Sequence, residues 1–305
     1  MNISRTVIDA LAEWGLVKEN EKLSGYTTYR TGGPADLLVL PSGKDAVPSI
    51  VKIAAAEKVP LTVIGGGSNL LVGDCGIEGI VLRICDDGPW RGDITAVDGG
   101  VYADAIVPKE RFVDFTASAG YAGMEFMAGI PGCIGGGIMM NAGTYMGTFS
   151  TVLRSVDVVD SGGAARRVSA DTSMSAYRTM RINGGAIITG ARFALKDGAD
   201  PAEILRAIED IRADRRKKHP LDYPSAGSVF KNPPDHSSWK LIDDAGLKGK
   251  CVVGARVSDL HTNFIINAGG ATSRNILDLI TLIQETVSRL FGIMLETEIK
   301  LIGTF

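Results

Sequence analysis

The 305-residue chain carries 45% hydrophobic and 22% charged residues and a net charge of −3, a globular composition long enough for two domains. The slight acidity argues against a nucleic-acid partner. Cys75, Cys85, Cys133 and Cys251 have neither CxxC spacing nor a companion histidine cluster, so they read as small buried hydrophobes in a reducing compartment rather than a zinc site or disulfide framework.

The opening MNISRTVIDALAEWG holds Asp9 and Glu13 and lacks a long apolar core. It predicts a short amphipathic helix rather than a signal peptide, and a cytoplasmic location is the expectation. Residues 36–41 (DLLVLP) predict a strand, 44–58 a helix with Asp45 and Pro48 near its start, and 60–64 (PLTVI) a second strand. This βαβ pattern favours parallel pairing. After GGGSN (65–69), residues 77–84 (IEGIVLRI) predict another strand, 92–97 a further one, and 109–120 a helix. Residues 152–160 and AARRVS flank SGG as a hairpin, and 186–195 read as a strand. Composition shifts near residue 197, before a charged helix over 201–218 with Ile204, Leu205, Ile208 and Ile211 at helical spacing. The remainder mixes helices (237–245, 272–291) with strands (251–257, 263–267, 293–302) and contains no internal repeat.

The segment GIPGCIGGGIMMNAGTYMG (129–147) lies in an uncharged run of 28 residues from Phe126 to Leu153. A membrane helix is excluded by its glycines, each costing roughly 1 kcal/mol against alanine, and by Pro131 and Asn141. A flexible linker is excluded by Ile130, Ile134, Ile138, Met139 and Met140. What remains is a packed, glycine-rich backbone that a ligand approaches closely. Glycines permit positive φ and let N–H groups reach an anion, and in IGGGSNLLV (64–72) Ser68 and Asn69 add side-chain donors. Two such loops suit a long ligand carrying a diphosphate. Neither matches GxxxxGK[ST], and neither is a GxGxxG opening a helix after the first strand.

Five motifs in order make the pattern specific: YTTYRTGGPAD (26–36), GGGSNLL (65–71), GIPG…MNAGTY (129–145), YPSAGSVFKNP (223–233) and LETEIKLIG (295–303). Together they resemble the UDP-N-acetylenolpyruvoylglucosamine reductase family, also called UDP-N-acetylmuramate dehydrogenases, flavoenzymes of bacterial peptidoglycan precursor synthesis. The resemblance runs from about residue 22 to 303. It implies an α+β protein: an FAD-binding domain of the vanillyl-alcohol oxidase/p-cresol methylhydroxylase type in two α+β subdomains, then a C-terminal α+β substrate domain. The expected boundaries are an N-terminal helix at 1–21, the FAD-binding domain at 22–197 with its subdomains split near 66–75, and the substrate-binding domain at 198–305. About 30 residues separate Leu195 from the Ser228 motif, which resembles the shorter type without a substrate-domain insertion.

The reaction implied is NADPH-dependent, FAD-mediated reduction of the enolpyruvyl ether of UDP-N-acetylglucosamine enolpyruvate, with hydride delivered from flavin N5. By resemblance the FAD contacts are Tyr29, Arg30, Gly65, Gly66, Gly67, Ser68, Asn69, Gly129, Ile130, Pro131, Gly132, Gly136, Asn141, Ala142 and Gly143. No histidine lies in these segments, and the FAD is expected to be non-covalent, although Cys133 sits inside the loop. Ser228 matches the family's proton donor. Glu298 matches its catalytic glutamate; alternation alone places Glu296 and Glu298 on one face, and Thr297 stands where the family usually has proline. Arg178 matches the catalytic arginine, with Arg181 as a rival. Tyr177, Lys218 and Asn232 are the implied substrate contacts, while His219 and His261 read as structural and no metal is expected. No protein partner or membrane is implied. The competing readings are an alcohol oxidase on the same FAD fold, against which the Ser228 and late-Glu motifs argue, and a flavin- or nucleotide-sugar-binding protein without turnover, against which intact Arg178, Ser228 and Glu298 argue.

Overall fold

A computed structural model describes residues 3–182 and 185–305. The chain forms two compact units, each drawn from separated stretches. The first comprises Met1–Glu19, Asp36–Gly66 and Gly79–Asp214; the second comprises Asn20–Ala35, Gly67–Glu78 and Arg215–Phe305.

In the first unit, a helix over Arg5–Ala12 begins at Ser4, whose Oγ accepts from Val7 N–H at 3.4 Å. Its Val7, Ile8 and Leu11 join Ile50, Val51 and Ala54 of the helix Val47–Ala56 in one core. Pro48 occupies the first turn of that second helix, where its missing N–H costs nothing. Residues Gly15–Lys22 form a strand, not part of an N-terminal helix. They edge a four-stranded sheet whose order continues through Pro34–Pro41, Ile77–Arg83 and Leu61–Ile64. The two strands of the expected βαβ unit do not pair with each other: Leu61–Ile64 runs parallel to Ile77–Arg83 instead, with Leu61 opposite Ile80. The later strand is inserted between the two earlier ones.

A second sheet has five strands in the order Ala165–Ser169, Leu153–Val159, Ile187–Phe193, Gly100–Asp104, Ile94–Val97, and every pairing is antiparallel. The predicted hairpin closes with Val159 opposite Ala165. The helix Lys109–Ser118 brings Phe112 to Phe193 with ring centroids 4.9 Å apart, and Phe149 lies 5.8 Å from Phe193. All three rings are fully buried, each contributing roughly 2–3 kcal/mol. On the helix Pro201–Lys218, Ile204 and Ile208 are buried, whereas Leu205 is 42% exposed, so the apolar stripe is narrower than its spacing implied.

The second unit is built on a four-stranded sheet ordered Ser225–Ser228, Phe264–Asn267, Ala255–Val257, Cys251–Val252. The helix Ser273–Phe291 buries Ile276, Leu279, Ile280, Ile283 and Val287 in that unit's core. Thr272 and Asn275 close a reciprocal capping box at its start, and Gly292 ends it at φ 70°. Asp74 accepts from Ser273 and Arg274 N–H at 2.9 and 2.8 Å, complementing the same helix terminus. Residues Leu70–Val72 pair in parallel with Lys300–Ile302. No helix among the described residues is long and apolar enough to cross a membrane, and no cluster of His, Cys, Asp or Glu among them could hold a metal.

Candidate active site

The first unit assembles one set of the predicted residues. Two glycine segments meet there backbone to backbone. A Cβ on Gly66 would lie 2.7 Å from Gly132 Cα and 3.3 Å from Cys133 N, so only glycine permits the approach. Gly65 faces Gly136 Cα at 3.7 Å from its own Cβ direction, and a side chain on Gly136 would meet no atom within 4 Å. Gly129 and Gly132 adopt φ of 73° and 103°. Gly129 N–H donates to the Glu110 carboxylate, which also receives Arg212. Ile130, Gly132 and Gly136 are half-buried, Pro131 is exposed, and Ala142 is half-buried beside the buried Gly143.

Asn141 is buried at φ 39°, and its side chain serves the fold: Oδ1 accepts from Ser150 N–H at 2.9 Å and Nδ2 donates to Ala176 C=O at 3.2 Å. That second bond docks a two-residue hairpin whose strands are Ser175–Ala176 and Thr179–Met180. Tyr177 and Arg178 are its loop. Arg178 takes φ 57°, uncommon for a residue with a side chain. Its Nη1 donates to Gly143 C=O at 3.0 Å, and its guanidinium lies 5.2 Å from the Tyr177 ring centroid. Arg181, the sequence rival, is exposed. The hairpin thus places Arg178, not Arg181, on the glycine loop.

The second unit assembles the other set. Gly67 has φ 69° and a Cβ there would fall 2.0 Å from Tyr26 C=O; its own C=O accepts from Thr28 N–H at 3.2 Å. The YTTYR and GGGSN motifs are therefore one knot. Ser68 and Asn69 follow, half-buried, and Asn69 Nδ2 donates to Glu298 C=O at 3.1 Å. Arg30 is exposed at φ 56°. Tyr29, expected as a flavin contact, is fully buried in this unit's core, where desolvation drives its phenol far above the ordinary range. Its C=O accepts from Asn267 Nδ2 at 3.0 Å, so Tyr29 anchors the segment that presents Arg30.

Ser228 ends a bulged strand. Ser225 pairs with Ile266 and Ser228 with Phe264, so one extra residue is accommodated between them, and Gly227 absorbs it at φ 78°. Immediately after, Val229 C=O accepts from Glu298 N–H at 2.7 Å, and Phe230 bridges Thr297. Ser228 and Glu298 are both half-buried on these adjacent segments. Glu296 is set apart: 76% exposed at its side chain, it pairs with Lys231 Nζ at 2.7 Å, and that bond holds its carboxyl below the usual range. The ion pair separates two acids that alternation could not. Lys218 ends its helix exposed, and exposed Asn232 uses Oδ1 to accept Ser238 N–H at 2.9 Å.

Three supports escaped the sequence reading. Arg83 is 5% exposed, and its Nη1 donates to Gly65 C=O at 2.6 Å while Nη2 pairs with Asp87 at 2.6 Å. Its charge inside IEGIVLRI was a usable signal, since buried cations are paired. Buried Asn263 donates Nδ2 to Phe230 C=O at 2.8 Å and accepts Phe230 N–H at 2.9 Å, clamping the chain beside Ser228. Glu110, holding Gly129, had no local signature.

The first unit's neutral main chain, with open space over Gly136 and no room for side chains between Gly66 and Gly132, fits a large cofactor combining an apolar ring with a diphosphate. Residues 35–169 match the profile of an FAD binding domain, which makes the chain a flavoprotein by class. Residues 219–302 match the profile described as UDP-N-acetylenolpyruvoylglucosamine reductase, C-terminal domain. A UDP-N-acetylenolpyruvoylglucosamine reductase of Anaeromyxobacter sp. (strain Fw109-5) is 42% identical over 95% of this chain and 90% of its own length. One of Lactobacillus helveticus (strain DPC 4571) is 43% identical over 94% and 95%. The crystal structure of the reductase from Thermus caldophilus superposes with a TM-score of 0.80 at 33% identity, covering 94% of this chain and 99% of that one. The chain belongs to the UDP-N-acetylenolpyruvoylglucosamine reductase family of FAD-dependent oxidoreductases, and its 305 residues fit the shorter type.

Proposed function

We propose that this chain reduces the enolpyruvyl ether of UDP-N-acetylglucosamine enolpyruvate to UDP-N-acetylmuramate, with NADPH as reductant, in the cytoplasm. The observation that carries the reading furthest is the coupling of Ser228 and Glu298 through the Glu298 N–H to Val229 C=O bond at 2.7 Å, on a strand bulged at Gly227.

Bound FAD supplies a two-electron hydride carrier. Gly65, Gly66, Gly129, Ile130, Pro131, Gly132, Gly136, Ala142 and Gly143 would hold it, with Asn141 fixing the loop; the family resemblance adds Arg30, Gly67, Ser68 and Asn69. Hydride addition to the methylene carbon of the substrate leaves negative charge on the neighbouring carbon and its carboxylate. Arg178 offers a planar guanidinium to that carboxylate, and Glu298, protonated, donates a hydrogen bond to the developing charge. Ser228 Oγ–H gives its proton to the carbon; a hydroxyl is a weak acid, but a carbanion is a strong base. Tyr177, Lys218 and Asn232 orient the substrate, with Lys218 at the helix terminus answering its diphosphate.

Absorbance at 340 nm tests the reading with purified protein, NADPH and the enolpyruvyl sugar. Wild type should oxidise NADPH only when the sugar is present. Ser228→Ala should still bind and reduce flavin, yet turn over at least about 100-fold more slowly. A normal flavin spectrum with no sugar-dependent oxidation in wild type would defeat the proposal.

A further inference from the structure

Cys85 and Cys133 stand 48 positions apart in the chain, yet their Sγ atoms lie 2.6 Å apart, both within the first unit. Cys85 follows the strand Ile77–Arg83 and is half-buried; Cys133 is 2% exposed. A disulfide bond is about 2.05 Å long, so the thiols need to close only about 0.5 Å.

Their surroundings assign the roles. The Cys85 thiol is held below its ordinary range, first by its hydrogen bond with Cys133 and then by the Arg83 charge, against the opposing effect of burial. Cys133 is pushed upward by the same bond and by burial. Arg83 is itself fixed by Asp87 and by Gly65 C=O. Cys85 therefore combines access with thiolate character, and Cys133 has neither.

The pair also joins the two glycine segments. Cys85 follows Ile84, whose N–H donates to Ile64 C=O at 2.8 Å beside Gly65. Cys133 follows Gly132, against which Gly66 is packed.

We propose that Cys85 and Cys133 form a peroxide-responsive dithiol, with Cys85 as attacking and Cys133 as resolving thiol, whose oxidation staples together the two loops of the flavin cradle. The Cys85 thiolate attacks one oxygen of hydrogen peroxide; an S–O bond forms, the O–O bond breaks, and the departing hydroxide takes a proton to become water. Cys133 then attacks the sulfenic sulfur of Cys85; the S–S bond forms, the S–O bond breaks, and a second water leaves carrying the Cys133 proton. Two thiols are oxidised to one disulfide, one peroxide is reduced to two waters, and a dithiol reverses the change. Intracellular disulfides of this reversible kind are characteristically redox-sensing.

The test treats the flavin-loaded full chain with hydrogen peroxide and maps cysteines by mass spectrometry without reduction. The expected product is a Cys85–Cys133 linked peptide pair, formed at least about 10-fold faster than exposed Cys75 or Cys251 is modified. In Cys133→Ser, a sulfenic-acid trap such as dimedone should label Cys85; in Cys85→Ser, Cys133 should take no label. Oxidation of Cys75 or Cys251 while the pair stays reduced would overturn the site, and label on Cys133 in Cys85→Ser would overturn the roles. The link to the cradle rests on the FAD reading and has its own readout. Release of FAD, followed by its fluorescence after dilution, should be at least ~3-fold slower in oxidised protein, reversibly with a dithiol; an unchanged rate overturns the staple while leaving the mapping to decide the dithiol.

Discussion

Asn69 and Glu298 are 229 positions apart and joined by a 3.1 Å hydrogen bond from the Asn69 amide to the Glu298 main-chain carbonyl. Asn69 C=O returns the contact by accepting from Lys300 N–H at 2.9 Å. The glycine loop of the second unit therefore sets the position of the candidate catalytic acid. Replacing Asn69 by alanine removes the side-chain bond and leaves the Lys300 bond in place. The expected outcome is a loss of about 1 kcal/mol in denaturant unfolding, accompanied by slower turnover. Unaltered turnover at that loss of stability would show that the tie is structural alone.

Gly227 provides a sharper case. Its φ is 78° and a Cβ there would meet nothing within 4 Å, so alanine adds backbone strain without a clash. Gly227→Ala should cost about 1–2 kcal/mol and also displace Ser228, lowering kcat. Gly292 has φ 70° and equally open space at the end of its helix. Gly292→Ala should cost a similar ~1 kcal/mol with no change in kcat. Equal kinetic effects from the two would dissociate the bulge from catalysis.

Arg178→Lys keeps the charge but loses the planar fork that reaches Gly143 C=O. Turnover should fall at least about 10-fold, while Arg181→Lys leaves it unchanged. Reversal of that order in steady-state assays would transfer the role to Arg181.

Asp157 gives a pH dependence of stability. Burial raises its pKa, but hydrogen bonds from Arg167 at 2.7 Å and Arg192 at 3.1 Å outweigh it, and the net shift is downward. A carboxyl depressed in the folded state stabilises the protein above its unfolded pKa of about 3.9, and that contribution disappears as pH falls through the folded value. Asp157→Asn should therefore lower the melting temperature at pH 7 and make the acid limb of stability below about pH 4 shallower than in wild type. Parallel acid limbs would remove Asp157 from the account.

Glu298→Gln keeps the shape and a hydrogen-bond donor but cannot titrate. If the acid stabilises developing charge by donating a hydrogen bond, this variant should retain more activity than Glu298→Ala. Equal loss in both variants would point to a proton-transfer role instead.

Much of the fold was written in local pattern. The run Leu37–Leu40 is wholly buried in its strand, and the helix Pro201–Lys218 has the limits its sequence suggested. The strand Gly15–Lys22 escaped because GLVKENEK offers only half-buried and exposed positions. Residues 251–257 read as one strand, but they fold as a hairpin because Val253 takes φ 51° and Gly254 packs where a Cβ would sit 2.1 Å from Gly269 C=O. The strand expected over 293–302 is reduced to Lys300–Ile302 and a bridge at Thr297, since its partners lie in distant segments.

The candidate site was legible only as motifs. Nothing local tells Glu298 from Glu296; Lys231 does so through space. Nothing local tells that Tyr29 is core, or that Cys85 and Cys133, read as small buried hydrophobes, touch through sulfur.

The parallel pairing of Leu70–Val72 with Lys300–Ile302 also governs when the second unit can exist. Gly73 N–H donates to Ile302 C=O and Cys75 N–H to Thr304 C=O, so the early segment of that unit finds these partners only in residues made more than two hundred positions later. During synthesis at about 5–20 residues per second, that segment waits ten seconds or more, on the order of the slowest steps in folding, with its strand edge unpaired. Until then Leu71, which ends fully buried, remains a hydrophobic surface for chaperones or for another nascent chain.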